Sequence, residues 1–213
     1  MGSTATDRPH RPKRLVVLVS GSGSNLQAII DACADDSLSA EVVAVVSNKA
    51  DVFALQRADA AGVPAVHVGV HQGEERSDYD ARLADVVAGF DPDLVVLAGW
   101  MRILTMSFLG WFPNRVVNLH PALPGELPGT AAIERAWDEA VAGERTRTGV
   151  MVHLVPDEGI DDGPVLGTAS FEIDVPAGFD AFAATVHAAE HRLLVDALTD
   201  LCTASPDRTE VSA

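Results

Sequence analysis

Apolar and polar positions along this chain come in blocks. Short β-branched runs stand at Leu15–Val19, Val42–Ser47, Ala65–Val68, Leu94–Ala98 and Val116–Leu119. Between several of them apolar residues recur at helical spacing, over Leu26–Cys33, over Val52–Ala60, and in the set Tyr79, Leu83, Val86, Val87 and Phe90. Ser77, followed three residues later by Asp80, reads as a capping box for the last of these helices. Near-continuous apolar strands separated by amphipathic helices predict parallel pairing with both sheet faces covered. The expected architecture is a single doubly wound α/β domain, a mostly parallel sheet with helices on both faces. Its ligands should sit beyond the carboxyl ends of the strands.

The pattern changes beyond residue 120. Pro121–Gly129 is a Pro/Gly-rich loop, followed by a helix expected to turn Ile133, Ala136, Trp137, Ala140 and Val141 to one face. Two strand-like runs, Thr148–Val155 and Val165–Ile173, flank the loop Pro156–Pro164. A long helix over Phe179–Leu201 would turn Phe182, Val186, Ala189, Leu193, Ala197 and Leu201 inward. Residues 1–13 read as a disordered tail, 14–203 as the folded domain and 204–213 as a frayed end.

Composition narrows the class. With 213 residues, 47% apolar and 22% charged, the chain suits one substantial globular domain and not a disordered state. The net charge is −16. Arg8, Arg11, Lys13 and Arg14 against Asp7 fall in the first fourteen residues, so the rest holds 11 basic and 30 acidic residues, a net −19. Such a surface repels phosphate backbones and argues against a nucleic-acid partner. The leader has no apolar core, and the run Leu94–Met106 is short and interrupted by Arg102, so neither a signal peptide nor a membrane segment is expected. Cys33 and Cys202 form no metal-type cluster; Cys33 completes an apolar helix face as core filler, and reduced cytoplasm is the plain reading.

Candidate chemistry lies in five places. Gly21-Ser22-Gly23-Ser24-Asn25 sits between the first strand and helix, where backbone N–H groups and the helix dipole favour an anion; the alternative is that Ser24 or Asn25 simply caps the helix. It is not a Walker loop, because no Lys-Ser/Thr follows. Leu26 stands where a dinucleotide fingerprint needs its third glycine, and Ser47-Asn48-Lys49 replaces the acid that would close the second strand. A single phosphomonoester fits better. Asn118 and His120 alternate to one side of a strand end, an amide donor and an imidazole suited to polarising a carbonyl, although strand-end turn residues look the same. Asp157, Glu158, Asp161 and Asp162 crowd one loop; beside His120 a carboxylate would raise the imidazole pKa, while composition alone reads as a solvated turn. A metal site of His120, His153 and one of these acids stays open without supporting spacing. Ala98–Leu104 could line a slot for a flat aromatic ligand around Arg102, or be ordinary core. His187, Glu190 and His191 share a helix face that reads as solvated.

Together these segments resemble the phosphoribosylglycinamide formyltransferases, the folate-dependent glycinamide ribonucleotide transformylases of purine synthesis. The likeness runs from about Arg14 to Leu201 through LVSGSGSNLQAIIDAC, VVSNKADVFAL, LVVLAGWMRIL, VVNLHPALP and VHLVPDEGIDDGPV. It implies a formyltransferase-like Rossmann variant. The implied reaction passes a formyl group from 10-formyltetrahydrofolate to the amine of glycinamide ribonucleotide, in the cytoplasm, with no metal and with a homodimer as one open assembly. By the same resemblance Asn118, His120 and Asp161 are catalytic; Gly23, Ser24, Asn25, Glu190 and His187 bind the ribonucleotide; and Arg76, Met101, Arg102, Ile103, Leu104 and Asn118 bind the folate. The Asp-x-Gly-Pro register selects Asp161 over Asp162. Pro121-Ala122-Leu123-Pro124-Gly125 departs from the family's usual Pro-Ser-Leu-Leu-Pro, Met151 replaces a small hydroxyl residue, His187 stands where relatives carry Gln, and the acidic loop is one residue longer. Two related activities compete. Methionyl-tRNA formyltransferases add a C-terminal RNA-binding domain and formyltetrahydrofolate deformylases an N-terminal regulatory one; neither is expected here. A non-catalytic mononucleotide-binding module is the reading of another class.

Overall fold

The computed structural model describes residues 11–203. In chain order the elements are β1 (Lys13–Val19), α1 (Ser24–Ala34), β2 (Ala40–Ser47), α2 (Phe53–Ala60), β3 (Ala65–His67), α3 (Arg76–Ala88) and β4 (Leu94–Leu97). Then follow α4 (Met106–Leu109), β5 (Val116–His120), α5 (Ala132–Val141), β6 (Arg147–Leu154), β7 (Val165–Glu172) and α6 (Phe179–Thr203). Seven strands make one sheet in the order β3-β2-β1-β4-β5-β6-β7. The first five pair in parallel, while β6 runs antiparallel to both β5 and β7.

Alternation along β1 explains its solid apolar run. Leu15, Val17 and Val19 enter one core with Leu26 and Ile29 of α1 and Leu194 and Leu198 of α6. Val16 and Leu18 enter the opposite core with Tyr79, Leu83 and Val87 of α3 and Phe108 of α4. Both faces are dry, so neither parity can carry a polar group, and each fully buried side chain contributes about 1.5–3 kcal/mol. A third, smaller core joins Ala132 and Ala136 of α5 to Val150 of β6 and to Phe182 and Val186 of α6.

β1 lies between β2 and β4, so the strand order reverses there. The loops leaving the carboxyl ends of β1 and β4 diverge, and the crevice between them is where such sheets bind ligands. The glycine-rich turn 21–25 and the segment 98–104 open into it, with the tip of β5 beside them.

Several details differ from the sequence expectations. Glu75, not Ser77, is the N-cap of α3, and it makes no side-chain cap bond. Asp80 instead turns inward and accepts from Thr105 N at 2.6 Å. Val141 is exposed, because the buried stripe of α5 is Ala132, Ala136 and Ala140. On α6 the buried series is Phe182, Val186, Glu190, Leu194, Ala197, Leu198 and Cys202, which drifts off the expected face and carries an acid inward. The folded chain starts earlier than residue 14: β1 begins at Lys13, and Arg11 is paired with Asp93 at 3.3 Å. The rest of the expected tail, 1–10, and the expected frayed end, 204–213, lie outside the described residues. Among the described residues no helix is long and apolar enough to cross a membrane.

Candidate active site

The crevice is a cleft of about 740 Å³. Gly23, Ser24, Asn25, Arg76, Met101, Arg102, Ile103, Leu104, Asn118, His120, Asp161, His187 and Glu190, the residues to which the resemblance gives a role, all line it, whereas Glu158, Asp162 and His191 do not.

Asp161 stands at its centre. The residue sits at φ 54, in the left-handed region that Asp tolerates better than bulkier residues. Its Oδ1 accepts from Asn118 Nδ2 at 3.1 Å, and its Oδ2 accepts from Gly129 N at 2.8 Å. His120 Nδ1 lies 3.3 Å from Oδ2, and His153 Nε2 lies 3.6 Å from Oδ1. Burial alone would raise this carboxyl, but the His153 ring, the Gly129 N–H and His120 outweigh it and hold the pKa below its ordinary value. Asp162 turns elsewhere, its carboxylate filling the space beside Gly159.

His120 is 4% exposed. The carboxylate beside it does push its pKa upward, as the sequence argument expects. Desolvation is the larger effect, however, and the net shift is downward, so the neutral imidazole prevails at neutral pH. His120 Nε2 is 3.0 Å from Leu127 O, which accepts only, so this nitrogen carries the proton and donates. Leu127 itself lies at φ 46.

His153 completes the group, although sequence reasoning offered it only as a weak metal ligand. The antiparallel register sets Asn118 of β5 opposite His153 of β6. His153 Nδ1 lies 2.8 Å from Leu154 O and must donate to it, leaving Nε2 to accept from Asn118 Nδ2 at 3.1 Å. Both amide hydrogens of Asn118 are therefore engaged, one by His153 and one by Asp161. Alternation along β6 was a visible signal, but strand pairing across an intervening helix was not.

The glycine-rich turn forms one end of the cleft. Gly23, at φ 74, is the N-cap of α1 with no side-chain cap bond, so neither Ser24 nor Asn25 plays the simple capping role. A Cβ at Gly23 would meet Ala54 Cβ at 2.7 Å, so α2 packs directly on the turn. Ala54 N donates to Gly21 O at 3.2 Å, and Arg57 Nε donates to Ser22 O at 2.9 Å. In a trans peptide C=O and the following N–H point oppositely. Anchoring both carbonyls on α2 therefore turns the N–H groups of Ser22 and Gly23 away from α2, an arrangement suited to an anion.

At the α6 wall the His187–Glu190 pair replaces the expected solvated face. Glu190 is 5% exposed and accepts from His187 Nδ1 at 2.7 Å. That bond raises the His187 pKa despite partial burial. The opposite end is apolar: Met101 and Ile103 are exposed beside Arg102, with Ile160 also lining the cleft. Among the described residues no group of three or more His, Cys, Asp or Glu is arranged to hold a metal ion.

The formyl transferase family model matches residues 13–198. The phosphoribosylglycinamide formyltransferase of Schizosaccharomyces pombe is 43% identical, over 89% of this chain and 97% of that protein. The phosphoribosylglycinamide formyltransferase of Escherichia coli is 40% identical, over 84% of this chain and 82% of that one. The crystal structure of glycinamide ribonucleotide transformylase 1 from Symbiobacterium toebii superposes with a TM-score of 0.85 at 34% identity, covering 94% of this chain and 92% of that chain. A family match across nearly the whole folded chain, with close likeness in sequence and in structure, places this chain in the formyl transferase family.

Proposed function

We infer that the protein transfers the formyl group of 10-formyltetrahydrofolate to the amine of glycinamide ribonucleotide, yielding formylglycinamide ribonucleotide and tetrahydrofolate in de novo purine synthesis. One observation carries the reading for this chain: a single cleft joins an anion-ready turn, a polar Asn118–His120–Asp161 group and an apolar wall at Met101–Leu104. The ribonucleotide phosphate sits at Gly23, Ser24 and Asn25, with Glu190 and His187 beside the sugar. The folate lies along Met101–Leu104, with Arg76 and Arg102 supplying positive charge that an acidic protein otherwise lacks.

The substrate nitrogen attacks the formyl carbon, and the carbonyl π pair moves onto oxygen. The tetrahedral intermediate then holds an anionic oxygen and a cationic nitrogen. His120 and Asn118 donate to the oxygen, and Asp161, kept ionised, stabilises the positive charge. The nitrogen proton passes to the departing folate nitrogen as the carbon–nitrogen bond breaks. His120 Nε2 exchanges Leu127 O for the formyl oxygen, and Asn118 exchanges one of its two acceptors. Each swap replaces one hydrogen bond with another, which costs far less than stranding a buried donor.

The same reading places the enzyme in the cytoplasm and takes a homodimer as the assembly to test by sedimentation. The deciding experiment mixes protein and 10-formyltetrahydrofolate with and without glycinamide ribonucleotide. Release of tetrahydrofolate only with the ribonucleotide supports transfer. Release without it means deformylation, and no release means a binding module.

A further inference from the structure

The wall at residues 98–106 contains no strand and, before Met106, no helix. Backbone N–H groups in such a segment need acceptors. Ala98 N donates to Leu18 O at 3.0 Å, continuing the sheet. Beyond that point side chains take over: Met101 N donates to Ser20 Oγ at 3.0 Å, Thr105 N to Asp80 Oδ2 at 2.6 Å, and Met106 N to Glu158 Oε1 at 3.0 Å. Ser20 is itself fixed, donating to Asn48 Oδ1 at 2.7 Å.

Asp80 differs from the other two acceptors. It is 0% exposed, and its Oδ1 has no partner among the described residues. Burying a carboxylate costs several kcal/mol, which a neutral acceptor for Thr105 N would avoid. Burial raises the Asp80 carboxyl pKa above its ordinary value, against the opposing Thr105 N–H, Arg102 and Arg76. Arg102 and Arg76 are the two guanidinium side chains of the cleft wall, and the Thr105 N–Asp80 bond joins the segments that carry them. Arg76 lies one helical turn before Asp80 on α3. Arg102 belongs to the tethered segment, its guanidinium lying 4.7 Å over the ring of Tyr79, whose hydroxyl donates to Val68 O at 2.9 Å.

We propose that Asp80 is a positioning residue for the folate: through Thr105 N it ties the Met101–Leu104 wall, which carries Arg102, to α3, which carries Arg76. This rests on the reading of that wall as the folate site. Asp80 lines no part of the cleft and touches neither substrate. Its loss therefore loosens one ligand's site and leaves the glycine-rich turn, anchored on α2, as it was.

The test is steady-state kinetics of Asp80→Ala, which removes the acceptor for Thr105 N. The KM for 10-formyltetrahydrofolate should rise about tenfold or more, with kcat and the KM for glycinamide ribonucleotide within about twofold. Equilibrium binding of tetrahydrofolate should weaken in parallel. If Asp80→Ala does not fold, Ser20→Ala, which frees Met101 N at the other end of the wall, should show the same split. An unchanged folate KM in the folded variant, or equal changes in both KM values, overturns the proposal. Failure of the unaltered protein to transfer formyl to the ribonucleotide would instead overturn the reading of function.

Discussion

Asp161 Oδ2 lies 3.3 Å from Nδ1 of His120, while the far nitrogen of the same ring is held 3.0 Å from Leu127 O. One ring nitrogen thus donates to a carbonyl, while the other faces a carboxylate that favours the charged form of the ring. Such a ring can present one directed N–H to a developing oxyanion. Removing one donor of this kind typically costs on the order of 10²–10³ in turnover. His120→Ala should lower kcat by that factor and leave the KM for the ribonucleotide nearly unchanged, because the phosphate turn lies at the other end of the cleft. Turnover equal to the unaltered protein would remove His120 from the chemistry.

Asp161→Asn tests the other partner. The native carboxylate raises the His120 pKa against the larger effect of burial. Without it the imidazole should titrate lower still, and the acidic limb of the kcat profile should move to lower pH. Stability follows its own sign. The folded-state pKa of Asp161 is depressed, so its contribution is present above the ordinary carboxylate pKa of about 3.9 and is lost as pH falls through the lower folded value. Chemical unfolding should therefore show a loss of stability on acidification below about pH 4 that is smaller in Asp161→Asn. Asp162→Asn, whose carboxylate faces Gly159, should alter neither profile; if it moved the acidic limb in place of Asp161→Asn, the roles of the two acids would be exchanged.

What could be read from the sequence divides along physical lines. The parallel half was legible because both faces of β1, β2 and β4 are dry, so their strands read as unbroken apolar runs whichever neighbour they pair with. The choice of Asp161 over Asp162 came from the family resemblance and its Asp-x-Gly-Pro register, and of the two only Asp161 lines the cleft, whose place follows from the strand order. The antiparallel partnership of Asn118 with His153 was hidden, since nothing in either strand names its partner across α5. Glu190 looked solvated because helix periodicity counts only apolar residues inward, and a buried acid paired with His187 breaks that count. Asp80 was read as a cap because Ser-x-x-Asp fits a capping box; its real acceptor role depends on Thr105, 25 residues away. The direction of the His120 shift needed burial, which sequence does not supply.

Arg57 is a further residue whose importance only coordinates reveal. Its Nε holds Ser22 O at 2.9 Å and its Nη1 holds Gln27 Oε1 at 3.0 Å, bracing the glycine-rich turn from α2. Arg57→Ala frees the Ser22–Gly23 peptide to rotate and removes a nearby positive charge. The KM for glycinamide ribonucleotide should rise about tenfold, the value of roughly 1.4 kcal/mol for one charged hydrogen bond, with the folate KM unchanged. Arg57→Lys keeps charge but not the forked geometry and should fall between. Initial-rate measurements varying each substrate in turn decide it; a folate-side effect, or none, would count against the bracing role.

With His187 beside the ribonucleotide, as proposed, recognition should depend on pH in a way that Gln at this position would not allow. Its Nδ1 donates to Glu190 Oε2, and the groups facing it are the acids Glu190 and, on α5, Glu134, with His191 on the same helix, whose own pKa burial lowers. The Glu190 bond raises the His187 pKa above the ordinary value of about 6.5. A raised folded-state value stabilises the protein fully below pH 6.5, and that stabilisation is lost as pH rises through the folded pKa. The side chain is about half exposed, so solvent screening keeps this effect under about 1 kcal/mol. Binding should show the change more clearly: the imidazolium adds positive charge at a site for an anion. The KM for glycinamide ribonucleotide should therefore increase as pH rises above neutrality. In His187→Gln that KM should be higher at pH 6 and should converge on the native value above the His187 pKa, because only the native protein loses a charge there. Parallel profiles for the two proteins between pH 6 and 9 would show that the Glu190 pair is structural and takes no part in holding the ribonucleotide.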